Sequence, residues 1–429
     1  MQNAKYQLKC LECGKTITDK YTNICPDGHD SLLRTAYKTK RLRKLSGKGM
    51  FNYIDWLPVE EALPINASPI TYKSEGFGKE LGLKNLYIGF SGYWPEKGVF
   101  MKTCTFKELE ALPTCQRAKE KCGKILVVPS AGNTSRAFAE VASMTGMPVV
   151  VIVPKSSIHR MWTTTELEKH DTIFLISVDG DYSDSIALSK EIVKKEALIE
   201  EGGVKNVARR DGMGIVELEA AFFMHAVPDY YFQAVGSGTG AIAAWETFIR
   251  LINDGRFGVK MPRIVISQNL PFAPMFSAWQ EGRAEIIADK DMNDAAEAIK
   301  QMYADVLSTR NPPYSIKGGV YDMLVSTEGV MHGISNEECR EAEKLFETEE
   351  GIDLDPAASV ACASLIKAVD EGLVKKEDRI LLNITGGGYK RLNNDYKRYQ
   401  IAERIEIKSS GQLTLEDVEI ELNEFVQGL

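Results

Sequence analysis

Three of the chain's eight cysteines fall close together near its start, at Cys10, Cys13 and Cys25, with His29 following. Cys10-Leu-Glu-Cys13-Gly is a knuckle in which two thiolates bracket a tight turn, and Cys25-Pro-Asp-Gly-His29 offers two further donors. Together they make a closed Cys₃His set suited to a structural zinc ion, with no open position for catalysis. Two alternatives stand beside this one: a metal-free segment with buried thiols, and a zinc ribbon on nucleic acid. The only nearby basic cluster, at 38–43, is equally well explained as a solvated linker. A second chemical pattern is Val235-Gly236-Ser237-Gly238-Thr239-Gly240, where bare backbone amides at the start of a helix favour a phosphate dianion. The G-x-G-x-x-G spacing of dinucleotide folds is absent there, and a glycine turn needed only for close packing is the alternative. Ser130-Ala-Gly-Asn133-Thr134-Ser135 offers neutral hydrogen-bonding groups for a carboxylate or phenolate, or else an ordinary helix N-cap. Thr385-Gly-Gly-Gly388 places a hydroxyl beside a tight turn, where it can meet a ring nitrogen.

These loops need strands and helices to position them. Ile125–Pro129, 148–153 and 172–178 read as buried strands, and 137–144 and 160–169 as helices. Further short β-rich runs lie at 230–235, 263–267 and Arg379–Ile384, and 241–252 reads as a helix. Alternation of this kind implies α/β architecture, with parallel sheets covered by helices on both faces. The loops at the carboxyl ends of such strands form the ligand crevice. The stretch 284–346 is charged and helical in pattern, with breaks at Asn311-Pro-Pro313 and Gly318-Gly319, and offers no chemistry. The tail after Arg391 is polar, and 415–425 reads as an amphipathic helix.

Length and composition bound the rest. The 429 residues suggest two or three structural units. Hydrophobic residues make up 44% and charged residues 26%, enough for a sizeable core and inconsistent with general disorder. With 52 basic against 60 acidic residues the net charge is −8, which argues against a dedicated nucleic-acid binder. The longest apolar run, 147–154, is strand length, and the first twenty residues hold Lys5, Lys9, Glu12 and Lys15 without an apolar stretch. A cytoplasmic protein with no membrane partner is therefore expected. Eight cysteines are too few for a disulfide scaffold.

As a set, the loops resemble the threonine synthase-like branch of the fold-type II pyridoxal-phosphate enzymes, from about Thr71 to Lys390. That family carries its Schiff-base lysine in a Ser-Phe-Lys-Asp motif, followed by a Ser-x-Gly-Asn-Thr loop, a glycine-rich phosphate loop and a Ser or Thr facing the pyridine nitrogen. Thr105-Phe-Lys107-Glu, Ser130-Ala-Gly-Asn133-Thr, Gly236 to Gly240 and Thr385 stand here in the same order. Asn206, Arg209 and Asp211-Gly-Met-Gly214 resemble a further family segment, as does Gly351-Ile-Asp-Leu-Asp-Pro-Ala-Ala-Ser359. The step of 26 residues from Lys107 to Asn133 matches the family's separation and favours Lys107 over Lys102.

The resemblance implies two three-layer αβα domains with mainly parallel sheets, behind a zinc-ribbon-like head. The head would be 1–40, the large pyridoxal-phosphate-binding domain 41–107 with 201–429, and the smaller inserted domain 108–200. It implies that Lys107 holds the cofactor and serves as base. Asn133 would hydrogen-bond its 3′-oxygen, Gly236, Ser237, Gly238, Thr239 and Gly240 would cradle its phosphate, and Thr385 would face its ring nitrogen. The departures are specific. Lys107-Glu-Leu-Glu110 stands where threonine synthases have Lys-Asp-Arg-Gly, and Arg136 enters the first turn after the asparagine loop, as an oxyanion holder or a surface side chain. With Trp94-Pro-Glu-Lys97 and the cysteine-bearing head, they are similar to the cysteate-forming branch of methanogenic archaea, which serves coenzyme M biosynthesis. That implies β-replacement of phosphate in O-phosphoserine by sulfite, with Ser130, Thr134 and Arg136 as the anion pocket, in a homo-oligomer. Threonine synthesis from phosphohomoserine, amino-acid dehydration, and a zinc-ribbon binding protein on a degenerate body are the alternatives. One methylene separates the first two substrates, worth only about 1–3 kcal/mol of discrimination.

Overall fold

The computed structural model describes residues 4–47, 49–130, 132–166, 172–180, 182–408 and 415–428. Two sheets organise the body. The larger has six strands in the order Val330–Ile334, Arg263–Asn269, Tyr230–Ala234, Arg379–Ile384, Asn85–Phe90, Ile70–Lys73. All neighbours run parallel except the last pair. The smaller sheet is wholly parallel, in the order Leu198–Glu200, Ile125–Pro129, Val149–Pro154, Ile173–Val178, Ile405–Ile407. Val149–Pro154 and Ile173–Val178 are buried along their whole length, because helices cover both faces and leave no water-facing row. The head is an antiparallel sheet of three strands, Thr16–Ile17, Tyr6–Cys10 and Leu33–Tyr37. Among the described residues no helix is long and apolar enough to cross a membrane.

Three expectations change. The helix expected at 160–169 is instead a 3₁₀ turn, Lys155–Arg160, followed by strand Trp162–Thr163; 167–169 lie outside the described residues. The Trp-Thr-Thr-Thr run favours extended backbone, and it pairs with Tyr399–Gln400 from the tail. The stretch 284–346, expected to be helical, contains the edge strand Val330–Ile334, paired in register with Val265 to Asn269. Third, the tail does not stay with the large unit as the 201–429 boundary supposed. Ile405–Ile407 completes the smaller sheet, and Val418, Leu422 and Phe425 of the Leu415–Gln427 helix share a core with Ile125, Val150 and Phe174. An amphipathic terminal helix must bury its apolar stripe somewhere, and it does so against one face of the smaller sheet.

The helix Lys107–Lys121 packs against the helices Val207–Met213 and Asn133–Thr145 and is buried continuously from Glu108 to Ala118. Lys119 and Lys121 in its last turn complement the helix dipole. Burial pushes Glu108 up to about 8 against the opposing bond from the Thr103 amide, and pushes Glu217 up to about 8 against the opposing Tyr231 hydroxyl. Raised carboxyls stabilise the fold in their protonated form. That contribution is complete below the unfolded value near ~4.5 and is lost as pH climbs through about 8. Chemical denaturation should therefore show stability falling across this window, and Glu217→Gln should flatten the fall. A slope identical in the variant would remove Glu217 as its source.

Candidate active site

Two backbone threads build the wall that carries Lys107. The Phe106 amide donates to the Thr385 carbonyl at 2.9 Å, Thr105 bridges Gly386, and the Gly387 amide donates to the Cys104 carbonyl at 2.9 Å. The threonine-glycine loop is thereby tied to the residues just before Lys107. Cys104 is fully buried, and burial pushes its thiol upward, which disfavours the thiolate. Lys107 opens the helix with its ammonium 3.1 Å from Glu110 Oε2 and 4.7 Å from the centre of the Phe106 ring. Glu110 Oε2 also lies 3.2 Å from Arg209 Nε, and Arg209 Nη1 lies 2.7 Å from Glu201 Oε2. Burial holds the Lys107 ammonium below its ordinary range, with Glu110 pulling it up and Arg209 pushing it further down. An amine so placed is easier to deprotonate, as a base or nucleophile must be. Lys102 instead places its ammonium 5.0 Å from the Tyr396 ring centre.

The glycine loop lies against the same wall. A Cβ on Gly240 would collide with the Gln233 amide and sit 3.1 Å from Phe106 Cε2, and one on Gly236 would lie 2.9 Å from the Leu307 carbonyl. Gly238 has φ +82°, and a Cβ there would collide with Val320. The loop stands at the start of helix Thr239–Asp254, where the Thr239 amide donates to Ser237 Oγ at 3.4 Å and Ser237 Oγ lies 2.8 Å from Thr239 Oγ1. A glycine loop at a helix start is the kind of backbone that can hold a small tetrahedral anion.

Asn133 opens the helix Asn133–Thr145. Arg136 Nη2 donates to Asn133 Oδ1 at 2.9 Å, to the Thr103 carbonyl at 3.0 Å and to the Tyr389 hydroxyl at 2.8 Å. The Tyr389 hydroxyl in turn donates to Asp355 Oδ2 at 2.9 Å. With its oxygen occupied by a cation, Asn133 presents Nδ2 as donor, 3.5 Å from Asp355 Oδ2. Arg136 is 4% exposed and lies over the Trp162 ring, which excludes the surface-side-chain alternative; its Nε is buried without a partner. Ser130 is half-buried, its hydroxyl accepting from the Gly132 amide at 3.4 Å, and Thr134 Oγ1 lies 3.5 Å from Arg209 Nη2.

Sequence reading had brought the loops forward but not their partners. Glu110 stands out in the sequence only as a departure from the threonine synthase pattern, and Glu201, Tyr389 and 305–307 carry no motif that marks them. That segment supplies Leu307 against Gly236, Val306 against Gly132, and Asp305 for Arg160 at 2.6 Å. Its signal is weak because the Leu307 contact is made by backbone, and the partners of Val306 and Asp305 lie far away in the chain.

The head brings Cys10, Cys13, Cys25 and His29 together, with all four donor atoms within 4.8 Å of one another. Cys13 Sγ and Cys25 Sγ are 3.9 Å apart, and Cys25 Sγ is 3.3 Å from His29 Nδ1. Tetrahedral zinc with sulfur and nitrogen bonds of usual length spaces its ligands about 3.6–3.8 Å apart, so the set can hold zinc.

Residues 72–386 match the family described as pyridoxal-phosphate dependent enzyme. The chain is 52% identical over 418 residues to the cysteate synthase of Methanosarcina acetivorans, covering 97% of this chain and all of that one. It is likewise 52% identical to the cysteate synthase of Methanoculleus marisnigri, covering 94% of each. Among solved structures it is similar to a pyridoxal 5′-phosphate-dependent aspartate racemase, with a TM-score of 0.56, 15% identity and coverage of 75% of this chain and 90% of that one. An L-serine ammonia-lyase from Rhizomucor miehei gives a TM-score of 0.55 at 13% identity, covering 77% of this chain and all of that one.

Proposed function

The chain belongs to the pyridoxal-phosphate dependent enzyme family, and from that premise we propose that it makes cysteate by replacing the phosphate of O-phospho-L-serine with sulfite at the Lys107 site. The observation that carries the reading is about half identity, over nearly the whole length, to proteins named for cysteate synthesis. Threonine synthesis is not favoured by it.

The residues fit the cofactor. The glycine loop, closed to any Cβ by Leu307, Val320 and Gln233, offers its backbone amides and a helix start to the phosphate. Asn133 Nδ2 suits its phenolate oxygen, Thr385 its ring nitrogen, and Lys107 its aldehyde. When bound, pyridoxal phosphate supplies an electron sink for the charge left at Cα as its proton departs. Lys107, partly desolvated, accepts that proton at Nζ and returns it once replacement is complete. The Cβ–O bond breaks with release of phosphate, and the sulfur of sulfite forms the new bond at Cβ. Both the departing and arriving groups are oxyanions. Arg136, whose Nε is buried without a partner, and the hydroxyls of Ser130 and Thr134 are the groups we assign to receive them. The same reading sets the product on the way to coenzyme M, in a cytoplasmic homo-oligomer, on the strength of the family resemblance.

The test follows phosphate and amino-acid products from the cofactor-loaded protein with O-phosphoserine, with and without sulfite. Cysteate formed only with sulfite is expected. Keto acid without sulfite, or threonine from O-phosphohomoserine and nothing from O-phosphoserine, would overturn the reading.

The cradle has its own prediction. Gly238→Ala places a side chain in left-handed backbone, at about 1–2 kcal/mol, and drives it onto Val320. Cofactor affinity should fall about 10-fold or more, that loss being about 1.4 kcal/mol or more, while far-ultraviolet dichroism stays unchanged. Wild-type affinity would mean that the phosphate sits elsewhere.

A further inference from the structure

We propose that Cys10, Cys13, Cys25 and His29 hold one zinc ion that braces both walls of the Lys107 site, so that cofactor affinity depends on a metal that never touches the cofactor. The proposal rests on the reading of that site as the cofactor's. The four donors form a closed set whose spacings suit a tetrahedral ion. Between Cys13 and Cys25 the chain has only the two-residue strand Thr16–Ile17, and a segment so short builds no core of its own. A metal crosslink is the means by which such a segment keeps one shape.

What the segment delivers is specific. Asp19 grips Arg117 with both oxygens, at 2.8 Å from Nε and 2.7 Å from Nη2, and the pair is 3% and 0% exposed. The Thr22 carbonyl and Asn23 Oδ1 take further Arg117 protons. Arg117 lies on the helix that begins at Lys107, and its Nη1 also donates to Asn206 Oδ1 at 2.8 Å. Asn206 caps the helix Val207–Met213, which carries Arg209, and Tyr21 donates to the Glu201 carbonyl at 3.2 Å. The head thus reaches the group of Lys107, Glu110, Arg209 and Glu201 from behind. Its other side reaches the phosphate cradle: Ser31 bridges Lys317, the Leu32 amide donates to the Lys317 carbonyl at 2.9 Å, and Leu11 packs on Gly318. Two residues on, Val320 closes over Gly238. Loosening the hairpin would free a buried arginine without its counter-ion and unseat both walls.

The experiment uses the full chain purified from zinc-supplemented cells. Zinc is counted by elemental analysis, and pyridoxal phosphate is titrated by absorbance well below the unfolding temperature. One zinc per chain is expected in wild type. Cys13→Ser should lose the zinc, and its Kd for the cofactor should rise 10-fold or more. Asp19→Asn cuts the link but leaves the ligands, so it should keep the zinc and still bind the cofactor at least 5-fold more weakly. A wild-type chain without zinc, a zinc-free Cys13→Ser protein of wild-type affinity, or an Asp19→Asn protein of wild-type affinity would each overturn the proposal. If Cys13→Ser does not fold, Asp19→Asn and zinc removal from folded wild type by a chelator decide it. A wild-type chain with zinc but no cofactor binding would instead fault the reading of the Lys107 site.

Discussion

Replacing Lys107 by alanine should abolish turnover, with a loss of 10⁴-fold or more, and should abolish the borohydride-reducible attachment of the cofactor to the chain. Both losses follow from one nitrogen having two tasks, nucleophile toward the aldehyde and base at Cα, each of which contributes on the order of 10²–10⁴ in related chemistry. The geometry sets Lys107 apart from Lys102. Its helix start is hydrogen-bonded to the Thr385 loop, its neighbour Phe106 lies against the glycine cradle, and burial lowers its affinity for a proton. The variant should fold, because Glu110 keeps Arg209 as its partner when Lys107 is gone. Borohydride reduction of the loaded wild type followed by peptide mapping should label the peptide containing Lys107. Label on Lys102, or a Lys107→Ala protein that keeps both attachment and turnover, would transfer the assignment to Lys102.

Legibility in the sequence followed the range of the interactions involved. Ile125–Pro129 and Arg379–Ile384 stand out because a short aliphatic run, Ile-Leu-Val-Val in one and Ile-Leu-Leu in the other, followed by turn residues has few other solutions. The glycine and asparagine loops stand out because their backbone needs are local. Ile405–Ile407 carries no such signal, since three residues with a central glutamate become a strand only when Ile173–Val178 offers an edge. Val330–Ile334 was hidden for a similar reason: His332 and Gly333 break its apolar run, and its neighbour Arg263–Asn269 is far away in the chain. The arrangement around the site was the least legible part. Arg136 meets Tyr389 across 253 residues, and Arg209 meets Thr134 across 75. Nothing in the local pattern states that an arginine in a first helical turn will orient an asparagine amide. The head's cysteines were readable as a metal set from spacing alone, whereas their connection to Lys107 through Asp19 and Arg117 required coordinates.

Glu110→Gln and Arg209→Gln should shift the pH dependence of cofactor capture in opposite directions. Lys107 sits below its usual range chiefly through burial, with Glu110 opposing that shift and Arg209 adding to it. Capture needs the neutral amine, so its rate rises with pH through the Lys107 value and levels off above it. Removing the Glu110 carboxylate leaves the ammonium without its 3.1 Å partner, and the rising limb moves to lower pH. Removing the Arg209 cation leaves Glu110 to Lys107 alone, stabilising the ammonium, and the limb moves to higher pH. Each unit of movement changes the rate at fixed pH below the limb by about 10-fold. Arg209→Gln also leaves Glu201 buried without its cation, a loss that destabilises the fold, so rates are compared on protein shown to be folded. Stopped-flow absorbance after mixing the cofactor-free chain with pyridoxal phosphate across a pH series reads the limb directly. Movement of both limbs in one direction would show that the pair acts through packing, whereas opposed movements that cancel in the double variant mean that Glu110 and Arg209 set the charge on Lys107.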